Sequence, residues 1–198
     1  SLLQGMTLFY TIGHSTRSLD ELAALLHAAD VRLVCDVRSI PRSRANPQYD
    51  RATLPEMLAE RQLGYVLIPA LGGRRGRKRG AGPSPNTMWR VTAFRNYADY
   101  ALTPEFAEGL AELRVLGSAR TSAIMCAEAV WWRCHRRIIT DYLLAGGDEV
   151  RHILGPGHVD QATMTPGAQM TADGHVLYPP EGLETDAVSP EGAGSGKD

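Results

Sequence analysis

Short continuous apolar runs alternate along the chain with segments whose apolar positions recur at helical spacing. Short apolar runs between polar turns are typical of buried strands. They occur at Thr7–Ile12, Val31–Val37, Tyr65–Ile68, Thr121–Cys126 and Glu149–Leu154. Helical spacing occurs at Leu19–Ala29, Arg51–Gln62, Trp89–Leu102, Pro104–Leu116 and Glu128–Leu144. This order predicts a single α/β domain with a mostly parallel, five-stranded sheet and helices on both faces.

Local capping signals mark the ends of several predicted helices. Ser18-Leu-Asp-Glu21 is a capping box, in which the serine hydroxyl and the glutamate carboxylate satisfy free amide groups of the first turn. Thr103 followed by Pro104 gives another helix a capping side chain and a proline at its first position. Gly146-Gly147 is a suitable end for the last predicted helix.

The C-terminal part of the chain carries a weaker pattern. A chain of 198 residues suits one globular core. We therefore predict an α/β domain over residues 6–160, a weakly structured extension over residues 161–178 and a disordered tail over residues 179–198. The tail sequence, PPEGLETDAVSPEGAGSGKD, is acidic and poor in apolar residues, so it has too little apolar surface to form a core.

Composition narrows the class of protein. No apolar run is long enough to span a membrane, and the first residues lack the regions of a secretory signal. We therefore expect a soluble, cytoplasmic protein without a membrane partner. Three cysteines, Cys35, Cys126 and Cys134, are an odd number in a chain of this size, so we expect reduced thiols rather than a disulfide framework.

Charge is unevenly distributed although the formal net charge is −1. Residues 32–137 contain eighteen arginine and lysine residues against nine acidic residues, whereas both ends of the chain are acidic. Most of these basic residues are arginine, whose planar guanidinium suits the recognition of phosphate or carboxylate. The middle segment therefore predicts a local surface that attracts anions.

Polar residues cluster where the predicted strands end. In an open parallel sheet, ligands bind beyond the carboxyl ends of the strands, where the loops diverge. The candidates at the ends of the first four strands are His14; Asp36, Arg38, Ser43 and Arg44; Gly72, Gly73 and the run Arg74–Arg79; and Cys126 with Glu128. Their convergence at one edge of the sheet predicts one site built from distant segments.

Five ordered motifs carry a family resemblance. They are Thr-Ile-Gly-His-Ser at residues 11–15, Asp-Val-Arg-x-x-Pro-x-Ser-Arg at 36–44, Leu-Gly-Gly-Arg at 71–74, Met-Cys-Ala-Glu at 125–128 and Cys-His-Arg at 134–136. Together they resemble the bacterial and archaeal family catalogued as domain of unknown function 488 (DUF488), over residues 9–158. The resemblance supports the choice of site residues and implies no particular reaction.

The candidate catalytic groups are Cys126, Glu128, His14 and Asp36. Cys126 precedes a predicted helix, and a helix N-terminus lowers the pKa of an adjacent thiol, as a nucleophile requires. Glu128 is either a general acid or base, or a carboxylate that only stabilises the helix dipole. Helical spacing would place Glu128, Trp132 and His135 on one face. His14 is either a proton relay or a structural turn histidine.

The loop after the second strand holds candidate substrate ligands. Arg38 and Arg44 are spaced to reach one anion together, with the Ser43 hydroxyl as a further donor. Asp36 either orients the catalytic arrangement or forms an internal ion pair with Arg38 that only fixes the loop.

A second set of candidate ligands follows the third strand and the Cys-His-Arg motif. The run that begins after Gly72 and Gly73 is either a phosphate clamp or a solvated loop. Its charged members are Arg74, Arg75, Arg77, Lys78 and Arg79. The Cys-His-Arg motif adds His135 and Arg136 to the substrate-binding candidates.

Several chemistries are disfavoured by missing motifs. The sequence has neither a Cys-x-x-Cys pair nor a His-Glu-x-x-His motif, so we expect no metal. No Gly-x-Gly-x-x-Gly follows a strand, so we expect no dinucleotide cofactor. The cysteine-phosphatase loop needs an arginine six positions after its cysteine. This chain has Trp132 at that position after Cys126, so we expect no chemistry of the cysteine-phosphatase type.

The sequence thus predicts a small enzyme without a cofactor. It would act by hydrolysis or group transfer on a phosphate-bearing ligand, either a nucleotide or a nucleic-acid segment. The alternative is a non-catalytic module that binds nucleic acid or another partner through the arginine-rich loop. A regulatory anion sensor is a third possibility, and the sequence leaves the oligomeric state open.

Overall fold

The computed structural model describes residues 6–181. The elements of its main sheet and of the helices around it are β1 (Leu8–Gly13), α1 (Leu19–Ala28), β2 (Leu33–Asp36), α2 (Leu54–Ala59), β3 (Gly64–Leu67), α3 (Thr92–Tyr100), α4 (Pro104–Ala119), β4 (Ser122–Cys126), α5 (Arg136–Ala145), β5 (Glu149–Gly155) and β6 (His158–Gln161). A short hairpin of β7 (Gln169–Met170) and β8 (Val176–Leu177) follows.

The main sheet has the strand order β3-β2-β4-β1-β5-β6. Strands β1 to β5 run parallel, and β6 pairs antiparallel with β5. The predicted α/β class and mostly parallel sheet are confirmed, with six strands instead of five. Every residue of β6 is exposed, so this edge strand lacks the apolar run by which the other strands are recognised.

Two apolar layers cover the faces of the sheet. Successive strand residues point to opposite faces, so Phe9 and Tyr10 belong to different layers. Helices α1 and α2 pack against the layer that contains Tyr10, and α3, α4 and α5 pack against the layer that contains Phe9. Helices therefore lie on both faces, as predicted.

The predicted capping interactions are present at two helix starts. The Ser18 hydroxyl accepts a hydrogen bond from the amide of Glu21 at 3.1 Å, and the Glu21 carboxylate accepts one from the amide of Ser18. The Thr103 hydroxyl caps α4 by accepting a hydrogen bond from the amide of Phe106 at 3.4 Å, and Pro104 takes the first position of the helix.

The helix predicted from Glu128 is wrong at its start, because α5 begins at Arg136. The backbone after β4 continues beside β1: the amides of His14 and Ser15 donate to the carbonyls of Cys126 and Ala127 at 2.8 and 3.0 Å. Between β4 and α5 the chain forms only one 3₁₀ turn, Trp131–Arg133. Tertiary pairing therefore replaces the first helical turns that the local spacing predicts.

The predicted extension, residues 161–178, contributes to the core. Val176 and Tyr178 are fully buried. The Tyr178 hydroxyl donates to Asp141 of α5 at 2.7 Å, and the amide of Thr165 donates to the same carboxylate at 2.9 Å. Residues 182–198 of the predicted disordered tail lie outside the described residues. No helix within residues 6–181 is both long and apolar enough to cross a membrane.

Candidate functional site

A cavity of about 710 Å³ opens at the carboxyl ends of β1, β2 and β4. The sheet register brings these ends together, since Gly13 pairs with Cys126 and Asp36 pairs with Met125. Eight predicted site residues line the cavity: His14, Arg38, Ser43, Gly73, Arg74, Cys126, Glu128 and His135. The volume lies in the range of small-molecule sites.

Further lining residues were not among the predicted site residues. They are Ser39, Ile40, Arg42, Val91, Ala93, Phe94, Ala127, Arg133 and Cys134. Arg42 lies in the loop after β2 between the predicted ligands Arg38 and Arg44, and this position in the sequence is the signal that points to it. Val91, Ala93 and Phe94 come from the start of α3 and form an apolar wall that no motif marks.

Asp36 fixes the position of the Arg38 side chain. The fully buried Asp36 carboxylate accepts from Nε and Nη2 of Arg38 at 2.9 and 2.7 Å, and it also accepts from the Tyr65 hydroxyl. Burial opposes the charge of Arg38, but the hydrogen bond and charge of Asp36 outweigh it and raise the pKa of Arg38. Asp36 itself does not line the cavity, so it acts on Arg38 and not on a ligand.

His14 is a buried neutral acceptor at the end of β1. Its ring stacks on Tyr49 with a centroid separation of 4.0 Å. Nδ1 lies 2.8 Å from the carbonyl oxygen of Ser15, to which it donates, so the Nε2 lone pair faces Nη1 of Arg38 at 3.5 Å. Burial lowers the pKa of His14, which keeps the imidazole neutral.

The two thiols of the cavity differ in acidity. Burial raises the pKa of Cys126 well above its usual value. Burial also opposes ionisation of Cys134, but contact with Cys126 and the charge of Arg136 outweigh it and lower the pKa of Cys134. The amide of Arg136, at the start of α5, donates to Sγ of Cys134 at 3.5 Å. The thiol at a helix N-terminus is therefore Cys134 and not Cys126, which corrects the prediction.

His135 supplies a base beside Cys134. Its Nε2 lies 2.8 Å from the carbonyl oxygen of Val37, and its Nδ1 lies 3.5 Å from Sγ of Cys134. Burial lowers the pKa of His135. Since a carbonyl oxygen only accepts, Nε2 carries the proton and the Nδ1 lone pair faces the thiol. Nucleophile, base and orienting group are thus present in hydrogen-bond geometry.

Glu128 lies on the exposed side of the cavity. It does not share a helical face with Trp132 and His135, because no α-helix forms between the end of β4 and Arg136. Glu128 nevertheless lines the same cavity as His135. The backbone carbonyl of Glu128 accepts from Nη2 of Arg136 at 2.8 Å, which fixes the loop that carries it.

Some predicted ligands lie elsewhere. Arg136 is fully buried and donates to the Thr11 hydroxyl at 3.0 Å, so it supports the loop beneath the cavity. Arg75 lies over the Tyr100 ring, 3.8 Å from its centroid, and donates to the Pro69 carbonyl at 2.8 Å. The remaining predicted ligands outside the lining are Arg44, Gly72, Arg77, Lys78 and Arg79.

Charge around the cavity is mainly positive. Among the lining residues, four arginines face one carboxylate, that of Glu128: Arg38, Arg42, Arg74 and Arg133. Within residues 6–181, no group of three or more histidine, cysteine, aspartate or glutamate side chains is placed to hold a metal ion. The lining residues of the cavity therefore carry a net positive charge.

The family model that matches the chain is described as a domain of unknown function, DUF488, and it covers residues 18–143. Comparison with curated proteins and with solved structures gives no match. The matched range includes both thiols and all four cavity arginines, whereas His14 lies before it.

Proposed function

The chain belongs to the DUF488 family, and we propose that it is an enzyme acting by hydrolysis or group transfer on a phosphate-bearing molecule, most simply a nucleotide. The observation that carries this proposal is the charge of the cavity of about 710 Å³, where three arginines besides the Asp36-paired Arg38 accompany a single lining carboxylate. Guanidinium groups bind phosphate oxygens through paired, charge-assisted hydrogen bonds. Asp36 fixes the guanidinium of Arg38 and occupies its Nε and Nη2, so Arg38 offers a ligand only Nη1, and paired contacts fall to Arg42, Arg74 and Arg133.

The proposed nucleophile is Cys134. Its thiol gives a proton to Nδ1 of His135, and Sγ attacks the electrophilic centre of the bound molecule. Glu128 exchanges a proton with the leaving group as a general acid or base. Water then releases the group from the thiol in a hydrolase, and a second acceptor does so in a transferase.

Anion binding is tested by thermal unfolding with inorganic pyrophosphate and with nucleoside mono- and triphosphates. A ligand that binds only the folded state raises the unfolding temperature. We expect the rise in the wild type and its loss in the double variant Arg42→Gln, Arg133→Gln. Arg32→Gln is the matched control. Arg32 is exposed and lies directly before β2, so it is at the amino ends of the strands and the cavity is at their carboxyl ends. No rise with any of these compounds would refute the proposal.

Catalysis is tested separately by release of inorganic phosphate from the compounds that bind. Glu128→Gln and Cys134→Ser should keep the rise in unfolding temperature and lose turnover by about 10²-fold or more. Full turnover in both variants would show that neither residue carries the proposed chemistry, and no phosphate release by the wild type would leave an anion-binding protein without catalysis.

A nucleic-acid-binding module is the second candidate, and the exposed basic segment beside the cavity favours it. Arg77, Lys78 and Arg79 are exposed, and none of them forms a salt bridge within residues 6–181. In this case a short oligonucleotide should bind with strong salt dependence. Neutralising these three residues should then abolish oligonucleotide binding and leave binding of pyrophosphate unchanged.

A further inference from the structure

Two free thiols meet in the wall of the cavity. Sγ of Cys126 and Sγ of Cys134 are 2.8 Å apart, and neither cysteine forms a disulfide in this structure. The residues are only 3% and 6% exposed, but both line the cavity, so a small reagent in the cavity reaches them. The third cysteine, Cys35, is fully buried in the sheet and does not line the cavity.

The break in the predicted helix creates this contact. In the predicted helix, the six residues from Glu128 to Cys134 would carry Cys134 about 9 Å along the helix axis, away from the end of the strand that holds Cys126. Instead, residues 127–135 follow a loop with one 3₁₀ turn, Trp131–Arg133, and return the chain to the end of β4. The loop is anchored by Arg136, which donates to the carbonyls of Glu128 and Ala129 at 2.8 and 3.3 Å.

The neighbours of the pair distinguish an attacking thiol from a resolving thiol. Cys134 receives the amide of Arg136 and faces the unprotonated nitrogen of His135, each at 3.5 Å. The amide of Arg136 stabilises a thiolate at Cys134, and the Nδ1 lone pair of His135 accepts the proton that ionisation of the thiol releases. Cys126 contacts Cys134 on one side and the carbonyl oxygen of Glu128, at 3.6 Å, on the other. A carbonyl oxygen stabilises a protonated thiol and not a thiolate.

We propose that Cys126 and Cys134 form a dithiol–disulfide redox site that reacts with low-molecular-weight disulfides. A covalent S–S bond of about 2.05 Å requires the two sulfurs to approach by less than about 1 Å from their present contact. The cavity admits the reagent, and its arginines attract disulfides that carry carboxylates, such as glutathione disulfide.

The reaction consists of two exchanges. First, the Cys134 thiol gives its proton to His135, and the thiolate attacks one sulfur of the disulfide R–S–S–R. A mixed disulfide forms on Cys134, the R–S–S–R bond breaks, and RS⁻ leaves and takes the proton from His135. Second, the Cys126 sulfur attacks Sγ of Cys134 while its proton passes to the departing second RS⁻.

Electrons and atoms balance over the two exchanges. Two protein thiols are oxidised to one disulfide, and one R–S–S–R is reduced to two RSH. A monothiol or dithiol in excess reverses the reaction. The redox site shares Cys134 and His135 with the proposed hydrolysis or group transfer, so an oxidised Cys134 has no free thiol with which to attack a phosphate-bearing ligand.

The test is to incubate the folded protein with glutathione disulfide and to measure its mass under non-reducing conditions. Wild-type protein should lose the mass of two hydrogen atoms and regain it with dithiothreitol. Trypsin cleavage after Arg120, Arg133 and Arg136 places the two cysteines on separate peptides, so the product should appear as peptide 121–133 linked to peptide 134–136. Cys35 should stay unmodified and serves as an internal control.

Two variants identify the roles of the thiols. Cys126→Ser lacks the resolving thiol and should accumulate a mixed disulfide with one glutathionyl group on Cys134. Cys134→Ser keeps only the less acidic thiol of the cavity. Its reaction with glutathione disulfide should be slower than that of Cys126→Ser by about tenfold or more. Wild-type protein that shows no linked peptides at millimolar glutathione disulfide would overturn the proposal, and so would equal rates in the two variants. Either result would leave the pyrophosphate-binding test of the proposed function unaffected.

Discussion

The imidazole of His135 is fixed by the backbone of Val37, whose carbonyl oxygen lies 2.8 Å from Nε2. This hydrogen bond assigns the proton to Nε2 and leaves Nδ1 as the acceptor that faces Cys134. Because Val37 follows β2 and His135 precedes α5, the bond joins two of the segments that form the cavity. The geometry of the thiol therefore depends on the relative positions of distant parts of the chain.

Replacing His135 should slow the reaction of Cys134 with iodoacetamide. His135→Gln keeps an amide donor near the position of Nε2, but it has no acceptor at the position of Nδ1. The alkylation rate of peptide 134–136 at neutral pH should fall by about tenfold, because less of the thiol is deprotonated. His135→Asn should lose the bond to Val37 and lower thermal stability as well. An unchanged alkylation rate in both variants would show that His135 does not act as the base.

Gly73 should be intolerant of a side chain. A Cβ atom at this position would overlap the His135 ring at Nδ1. Gly73→Ala should therefore displace the imidazole, slow alkylation of Cys134 and lower the free energy of unfolding by about 1–3 kcal/mol. Gly76→Ala is the matched control, since a Cβ atom there meets no other atom within 4 Å. Equal stability and equal reactivity of the two variants would contradict the close packing.

The sequence predicted those features that depend on neighbouring residues. The capping box at Ser18 and the Thr103-Pro104 start involve atoms within one helical turn, and both appear as expected. Parallel strands that end in polar residues also follow from local patterns together with general rules of topology. Eight predicted site residues consequently line one cavity.

Features that depend on distant contacts were missed. The spacing after Cys126 fits a helix, and only the hydrogen bonds from His14, Ser15 and Arg136 to that segment replace the helix with a loop. The contact between Cys126 and Cys134 follows from the same loop. The same loop places Arg133 in the lining of the cavity. A continuous helix from Glu128 would place Arg133 elsewhere relative to the end of β4.

Removing the charge of Asp36 should destabilise the protein strongly. The carboxylate and its partner Arg38 are both buried, so Asp36→Asn leaves an uncompensated guanidinium away from solvent. Loss of one partner of a buried pair costs about 3–5 kcal/mol. Asp20→Asn is the control because Asp20 pairs with Arg61 at an exposed position, where the loss should be about 1 kcal/mol or less.

Denaturant unfolding monitored by fluorescence gives both free energies. A double variant, Asp36→Asn with Arg38→Met, separates charge from packing, because it removes the unpaired charge and keeps an unbranched side chain. We expect it to recover part of the lost stability and to weaken pyrophosphate binding. A single variant Asp36→Asn no less stable than Asp20→Asn would contradict the role assigned to the ion pair.

Acid should destabilise the protein partly through His152, a buried histidine of β5. Its ring stacks on Trp131 at a centroid separation of 4.6 Å, and Nδ1 lies 2.6 Å from the Thr11 hydroxyl. That hydroxyl accepts from Arg136, so its proton points to a neutral His152. Burial, followed by the charge of Arg136, lowers the pKa of His152 from 6.5 to about 3.

The folded protein therefore keeps His152 neutral over a range of pH in which the unfolded chain binds a proton. The contribution of His152 to stability is complete above pH 6.5 and is lost as the pH falls toward 3, at about 1.4 kcal/mol per pH unit. His152→Asn should be less stable than the wild type at pH 7, and the gap should narrow at this rate below about pH 6.5. His158 is at an exposed position of β6, so the free energy of unfolding of His158→Asn should stay close to that of the wild type over the same pH range. Parallel stability profiles of the wild type and His152→Asn between pH 6.5 and about 4.5 would show that His152 is protonated alike in both states.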